Sequence, residues 1–325
     1  MKIAKVLSFD APYHISIQTH PLKAPEQNHL LIKNLYSAIS AGTELLVYRG
    51  EVPDNIPLDA TLSHLSQPIS YPLSYGYASV GYVEAVGSGV DTECVGRPVF
   101  SFSPHASHVM TTLEQIQFLP TDIELKQAAL LASMETALSV VMDAKPVIAE
   151  RVAVFGLGTV GLLVSWLLSQ FPLTSLSLSD PIESRLTRAQ QIIPTPTNMT
   201  DNFDLAIDLS GQATTLNQII PQMHYDGRIL VGSWYGNQAS NIQLGDYFHR
   251  NRIQLMSSQV SHIAPNLRGR FDRRRRLDSA LQLLENFPWQ QLISHLIPLE
   301  ECAALYAKLN QAPQSYGQVL ISYEQ

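Results

Sequence analysis

Val154-Phe-Gly-Leu-Gly-Thr-Val-Gly161 decides the reading of this chain. Its glycines, Gly156, Gly158 and Gly161, keep the spacing G-x-G-x-x-G, and the flanking sequence gives that spacing its meaning. Arg151–Phe155 reads as a buried strand, and the apolar run from Thr159 to Gln170 as a helix stopped by Pro172. A second strand, Ser175–Ser179, ends on an acid, Asp180. Strand, glycine turn, helix and acid in that order are what a dinucleotide-binding fold requires. Gly156 permits the tight turn, Gly158 lets the backbone approach a pyrophosphate, and Gly161 lets helix and strand pack closely. The first helical turn, with Thr159 and Val160, offers unpaired N–H groups and the positive end of the helix dipole. Asp180 is placed to accept both ribose hydroxyls and to repel a 2′-phosphate, which favours NAD over NADP. Arg185, one turn further on, reads as a solvated arginine on a helix face and keeps NADP open.

Beyond this stretch, strand and helix continue to alternate through DLAIDLS, GRILVGS and RIQLMSS, the texture of a doubly wound parallel sheet. The strand-end rule for such sheets assigns Ser210 and Gly211, and Gly232 and Ser233, to the cofactor's sides. The first hundred residues have a different texture, with short apolar or alternating runs such as KIAKVLSF, HLLIKNLYSAI and SVGYVEAVG broken by turn residues. That predicts a β-rich domain, joined onward by one or two helices over Leu125 to Ala144. The chain has 325 residues, beyond what one core usually supports, so two domains are expected. At 45% apolar and 15% charged residues it is a folded protein, and its net charge of −7 provides no field for nucleic acid. No run approaches the roughly 20 apolar residues of a membrane span. The start lacks a secretory signal, so the cytoplasm and a small-molecule substrate are expected. Two cysteines, Cys94 and Cys302, build neither a disulfide framework nor a four-cysteine metal lobe.

The order of these features resembles the medium-chain dehydrogenase/reductase, or zinc-type alcohol dehydrogenase-like, superfamily. The resemblance is carried by ISAGTELLVYRG (Ile39 to Gly50), YGYASVGYVEAVGSGV (Tyr75 to Val90), GRPVFSF (Gly96 to Phe102), METALSVVMDA and VFGLGTVG. It implies an α/β chain with a GroES-like catalytic domain over residues 1–141 and 261–325, and a Rossmann domain over 142–260. Its activity would be hydride transfer between a nicotinamide and an alcohol or carbonyl. Quinone or enoyl double-bond reduction and a non-catalytic dinucleotide sensor are the alternatives, and a homodimer is the expected assembly. The later segments FHRNR, SSQV, RGRFDRRRR and GSWYG resemble a subgroup that includes a dehydrogenase of the bacteriochlorophyllide hydroxyethyl group; that narrower likeness assigns no substrate.

The resemblance is most informative where it fails. Zinc-dependent members place a cysteine, a histidine and a cysteine or glutamate where this chain has Ala41, Tyr77 and Thr136. A methyl group, a phenol and a hydroxyl are poor zinc ligands, so a zinc-free site is expected, and Glu135, one residue from the third position, does not restore it alone. Catalysis then needs a side-chain proton relay. Thr43 falls where relatives carry the hydroxyl of that relay, and Tyr77 takes the place of a ligand histidine; these lead, with Glu44 and Glu135 behind them and Tyr48, Tyr75 and His105 from the same loops. The arginines Arg268, Arg270 and Arg273 to Arg276 are expected either to meet an anion or to form a solvated helix start.

Overall fold

The computed structural model describes residues 2–193 and 202–323. The chain forms two compact units, Met1–Ala132 with Leu281–Gln325, and Ser133–Ala280. In chain order the first unit contributes β1 (Ile3–Ala11), β2 (His14–Pro21), β3 (His29–Ala38), α1 (Ala41–Arg49), β4 (Leu73–Ser74), β5 (Ser79–Val86), β6 (Pro98–Ser101), β7 (His108–Thr112), β8 (Ile116–Phe118) and α2 (Leu125–Ala128). Next come α3 (Leu131–Ala144), β9 (Arg151–Phe155), α4 (Thr159–Leu168), β10 (Ser175–Ser179), α5 (Glu183–Ile192) and β11 (Phe203–Asp208). They are followed by α6 (Leu216–Ile219), β12 (Met223–Val231), α7 (Tyr247–Arg250), β13 (Gln254–Ser257) and α8 (Arg273–Glu285). The return to the first unit adds β14 (Ile293–Pro298), α9 (Cys302–Gln311) and β15 (Gln318–Ser322).

The first unit is built on a seven-stranded sheet, β14-β15-β3-β5-β6-β8 with β7 also paired to β3, and a three-stranded sheet β2-β1-β4. β3 is its spine: Leu30, Ile32, Ser37 and Ala38 are buried, and Leu30 and Ile32 pack with Val83, Val99 and Ile116. The last strand reaches back across the sequence, pairing Leu320 with Ala38 and Ser322 with Tyr36. α1 follows β3 after two residues and ends at Gly50, whose φ of +72° supplies the left-handed stop and whose N–H returns to Leu46 O and Val47 O. Sequence reading had drawn Glu44 and Tyr48 from a loop; they lie on this helix, and both are buried on it.

The second unit carries five strands in the order β10-β9-β11-β12-β13, every pairing parallel. Val152, Ala153 and Val154 of β9 are fully covered, as a strand flanked on both sides in a parallel sheet must be. Phe155 and Phe203 meet edge to face, with centroids 6.3 Å apart, in a core shared with Ile219, Ile220 and Ile229. No helix among the described residues is long and apolar enough to cross a membrane.

One arginine expectation is corrected here. Arg276 is neither solvated nor free for an anion: it is 2% exposed, donates to Glu135 Oε1 through Nε at 3.1 Å and Nη2 at 3.0 Å, and donates to Val260 O at 2.6 Å. Arg268, Arg270 and Arg273 to Arg275 are exposed. A buried carboxylate stripped of its partner loses far more than a surface pair does. Arg276→Met is therefore expected to lower the unfolding free energy by about 3–5 kcal/mol in urea denaturation; a loss under about 1 kcal/mol would show that Glu135 does not depend on the guanidinium.

Candidate active site

The glycine loop stands where the strand order reverses, with β10 on one side of β9 and β11 on the other. Loops diverge at such a point and open a crevice at the strands' carboxyl ends. Gly156 has φ +93°, and a Cβ there would lie 2.5 Å from Leu209 C and O and from Ser210 N. A Cβ on Gly161 would come within 1.9 Å of Gly156 O, so only hydrogen lets α4 begin this close to β9. Gly158 differs: nothing lies within 4 Å of its would-be Cβ, which leaves space for a ligand against the backbone. Thr159 and Val160 follow in the half-buried first turn of α4, whose leading amides have no partner within the helix.

Asp180 is buried and holds the loop as well as facing it. Its Oδ2 accepts the Leu157 N–H at 2.8 Å, its Oδ1 accepts the Ile182 N–H at 2.9 Å, and Arg185 Nη1 approaches Oδ2 at 3.4 Å. Arg185 is thus an ion-pair partner of Asp180 with a side chain 22% exposed, not a solvated arginine on the helix face. Burial lowers the pKa of nearby Arg188, and the like charge of Arg185 adds to that.

The loops after β11 and β12 are stitched together around Asp208, which sequence reading passed over. Gly232 N–H and Ser233 Oγ donate to its carbonyl at 2.9 and 3.3 Å, Ser210 N–H donates to its Oδ1 at 3.0 Å, and the Tyr235 hydroxyl donates to its Oδ2. Gly211 N–H donates to Ser233 Oγ at 3.0 Å, so Ser210, Gly211, Gly232 and Ser233 fall in one cluster. Burial, then the Asp208 carboxylate, pushes the Tyr235 phenol up. The acid preceding Leu209-Ser210-Gly211 was the available signal; its tyrosine partner, 27 residues on, left none.

In the first unit, Gly76 has φ +122° and its Cβ would strike His105 N at 2.8 Å, so this glycine fixes the backbone that presents Tyr77. Burial pushes the Tyr77 phenol up to about 12, with the nearby Ser40 and Thr43 hydroxyls opposing it. The structure thereby brings together the two leading candidates, Thr43 and Tyr77, both half-buried, and adds Ser40. Glu44 lies beneath them in a different role. It is fully buried, and it accepts the Ser40 N–H at 2.6 Å, His105 Nε2 at 3.0 Å and the Tyr306 hydroxyl. His105 Nδ1 meets Ser37 Oγ at 2.7 Å, and Ser37 meets the Tyr323 hydroxyl at 2.7 Å. Ser37, His105 and Glu44 have the connectivity of a hydrolytic triad. All three are 0% exposed, so no substrate reaches the serine and the chain of bonds serves to satisfy a buried charge. Tyr48 and Tyr75 are likewise covered, at 5% and 1% exposure. Glu135 belongs to the second unit, committed to Arg276.

Ala41, Tyr77 and Thr136 stand where the resemblance puts zinc ligands, and no group of three His, Cys, Asp or Glu suited to a metal occurs among the described residues.

With this geometry in place, likeness to known proteins is informative. No family model matches the chain. It is 26% identical to (R,R)-butanediol dehydrogenase of Bacillus subtilis over 264 residues, covering 68% of this chain and 73% of that one. It is 22% identical to D-guloside 3-dehydrogenase of Escherichia coli, covering 97% and 95%. Among solved structures, a short chain alcohol dehydrogenase from E. coli CFT073 with NADH superposes at TM-score 0.76 with 16% identity, over 99% of both chains. A protein from Sinorhizobium meliloti 1021 described as a zinc-binding dehydrogenase, bound to NADP, superposes at 0.78 with 18% identity, over 99% and 100%. At these identities the superpositions establish a shared fold.

The open space at Gly158 separates binding from folding. Gly158→Val is expected to weaken NADH more than about tenfold in a fluorescence titration while costing under about 1 kcal/mol of stability. Unaltered NADH affinity would place the pyrophosphate elsewhere.

Proposed function

We infer that this chain, which belongs to the medium-chain, zinc-type alcohol dehydrogenase-like superfamily, is an NAD(P)-dependent dehydrogenase that interconverts an alcohol and a carbonyl without protein-bound zinc. The observation that carries the reading is a contrast: the nucleotide loop is intact, while a methyl group and two hydroxyl side chains, those of Ala41, Tyr77 and Thr136, stand where the resemblance puts a metal's ligands. The amides of Gly158 to Gly161 would hold the pyrophosphate, and Asp180 the adenosine ribose. Ser210, Gly211, Gly232 and Ser233 would border the rest of the dinucleotide. The bound nicotinamide supplies or accepts the hydride. Arg185 beside Asp180 offers a cation to a 2′-phosphate, so NADP is retained beside NAD.

Zinc in relatives would polarise the substrate oxygen; here that work falls to hydrogen-bond donors. Thr43 and Tyr77 are the two candidate residues that combine a hydroxyl with partial exposure, which a group touching substrate requires. Glu44 supports them from the interior and does not meet the substrate, and Glu135 is left outside the chemistry.

Tyr77→Phe is expected to lower kcat/KM by about 10²–10⁴ while leaving NADH affinity unchanged. The assay panel begins with butanediol and a D-guloside, for which the two relatives are named. Metal analysis of the active protein is expected to find zinc well below one per chain; stoichiometric zinc would overturn the metal-free reading. The chain is further proposed to pair through β13, the edge strand of the parallel sheet, where Gln254, Leu255 and Ser257 are exposed. Light scattering should give twice the 36.0 kDa chain mass, and a single-chain mass would count against pairing.

A further inference from the structure

Glu135, Ser139 and Asp143 follow one another at four-residue steps along α3, so they share one face of that helix. The two outer members reach the chain that follows β13. Asp143 Oδ2 accepts the Ser258 hydroxyl at 2.6 Å. Glu135 Oε1 accepts Arg276 Nη2 at 3.0 Å, and the same nitrogen donates to Val260 O at 2.6 Å. Between them, Ser139 Oγ is buried and has no hydrogen-bond partner, so the seam is tied at its two ends and open at its middle. All of these residues belong to the second unit.

The sheet itself stops holding the chain where these ties begin. Register between β12 and β13 ends at Val231 and Ser257, and one further bond runs from Ser258 N–H to Val231 O at 2.9 Å. Beyond it, Gln259 closes a turn on Ser261, accepting its N–H and donating to its hydroxyl, both at 2.7 Å. Segment 258–260 therefore takes its position from α3. That position matters for a dinucleotide. Asp180 stands after β10 and the glycine loop after β9, so a dinucleotide with its adenosine ribose on Asp180 extends its other half past β11, towards the carboxyl ends of β12 and β13. Segment 258–260 leaves β13 at that end, beside Gly232. α3 meets the same place, since a Cβ on Gly232 would lie 3.2 Å from Val140 Cγ2.

Resting on the dinucleotide reading above, we propose that Asp143, and the pair of Glu135 and Arg276, are positioning residues for the nicotinamide half of the cofactor. They fix segment 258–260 as a wall for that half before it arrives. Neither acid touches the cofactor: Asp143 acts through Ser258, and Glu135 acts through Arg276 on Val260 O. A wall set in advance leaves less ordering to be lost on binding, and it holds the ring in one place relative to the substrate. The adenosine half, which rests on Asp180 and the glycine loop, does not depend on it. Breaking the buried ion pair costs folding stability as well, so the Asp143 tie is where positioning separates from folding.

The test is calorimetric titration of the full chain with NADH and with ADP-ribose, which lacks the nicotinamide; NADPH and 2′-phospho-ADP-ribose replace them if the wild type prefers that pair. Ser258→Ala and Asp143→Ala are each expected to weaken NADH about tenfold and to leave ADP-ribose within about twofold. Asp143→Asn, whose amide oxygen still accepts the Ser258 hydroxyl, should bind NADH within about threefold of the wild type. Ser139→Ala removes a hydroxyl that has no partner, and should leave both affinities unchanged. Unchanged NADH affinity in both alanine variants at the Asp143 tie, or equal losses of NADH and ADP-ribose, would overturn the proposal. So would a selective loss of NADH in Ser139→Ala, because any disturbance of the seam would then suffice. A wild type that binds neither pair would defeat the dinucleotide reading instead.

Discussion

Two stretches of backbone in the parallel-sheet unit run so near each other that one methyl group does not fit between them, the Cβ of residue 161 falling 1.9 Å from Gly156 O. The nucleotide site rests on that closeness. It lets α4 start directly after β9, at the one place where the strand order turns back. The same loop is held from two other directions: Leu209 and Ser210 crowd Gly156, and Asp180 grips the Leu157 N–H. A loop fixed at three points has its amides in place before any ligand arrives, so little ordering entropy remains to be lost on binding.

Buried carboxylates held by several hydrogen-bond donors recur in both units. Glu44 is satisfied by an amide, an imidazole and a phenol, and Asp208 by an amide and a phenol. Hydrogen bonds to a charged acceptor contribute about 1.5–3 kcal/mol each, which offsets part of the cost of burying such groups. In each case the carboxylate also ties a loop or helix start to a distant part of its own unit: Glu44 reaches Tyr306, and Asp208 reaches Tyr235. Glu135 and Asp180 are different, since each faces an arginine.

Local texture carried most of the fold. The alternation after Arg151 named β9, α4, β10 and α5 in order, because each is short and periodic and is bounded by Gly, Pro or Asp. α1 escaped notice as a helix since its apolar residues, Leu45, Leu46 and Val47, are consecutive and follow a glycine. The candidate residues were legible by motif position, but their partners were not. Arg276 lies 141 residues from Glu135, and Tyr306 lies 262 from Glu44, separations across which sequence pattern has no reach. Arg185 was misjudged for a subtler reason: at five residues from Asp180 it looks outward by helical phase, yet the acid precedes the helix and the guanidinium can fold back to it. Ser40 was passed over because a serine before a helix ordinarily caps it, and only the geometry of the helix start shows that its hydroxyl does not.

The double duty of Asp180 bears on any effort to exchange one pyridine nucleotide for the other. Where such an acid only meets the sugar, replacing it with a small neutral residue alters preference and little else. Here the same carboxylate anchors the amide at the centre of the glycine turn and neutralises a neighbouring arginine. Selectivity and loop shape are therefore inherited together, and a redesign has to supply a new acceptor for Leu157 before it asks for a new coenzyme.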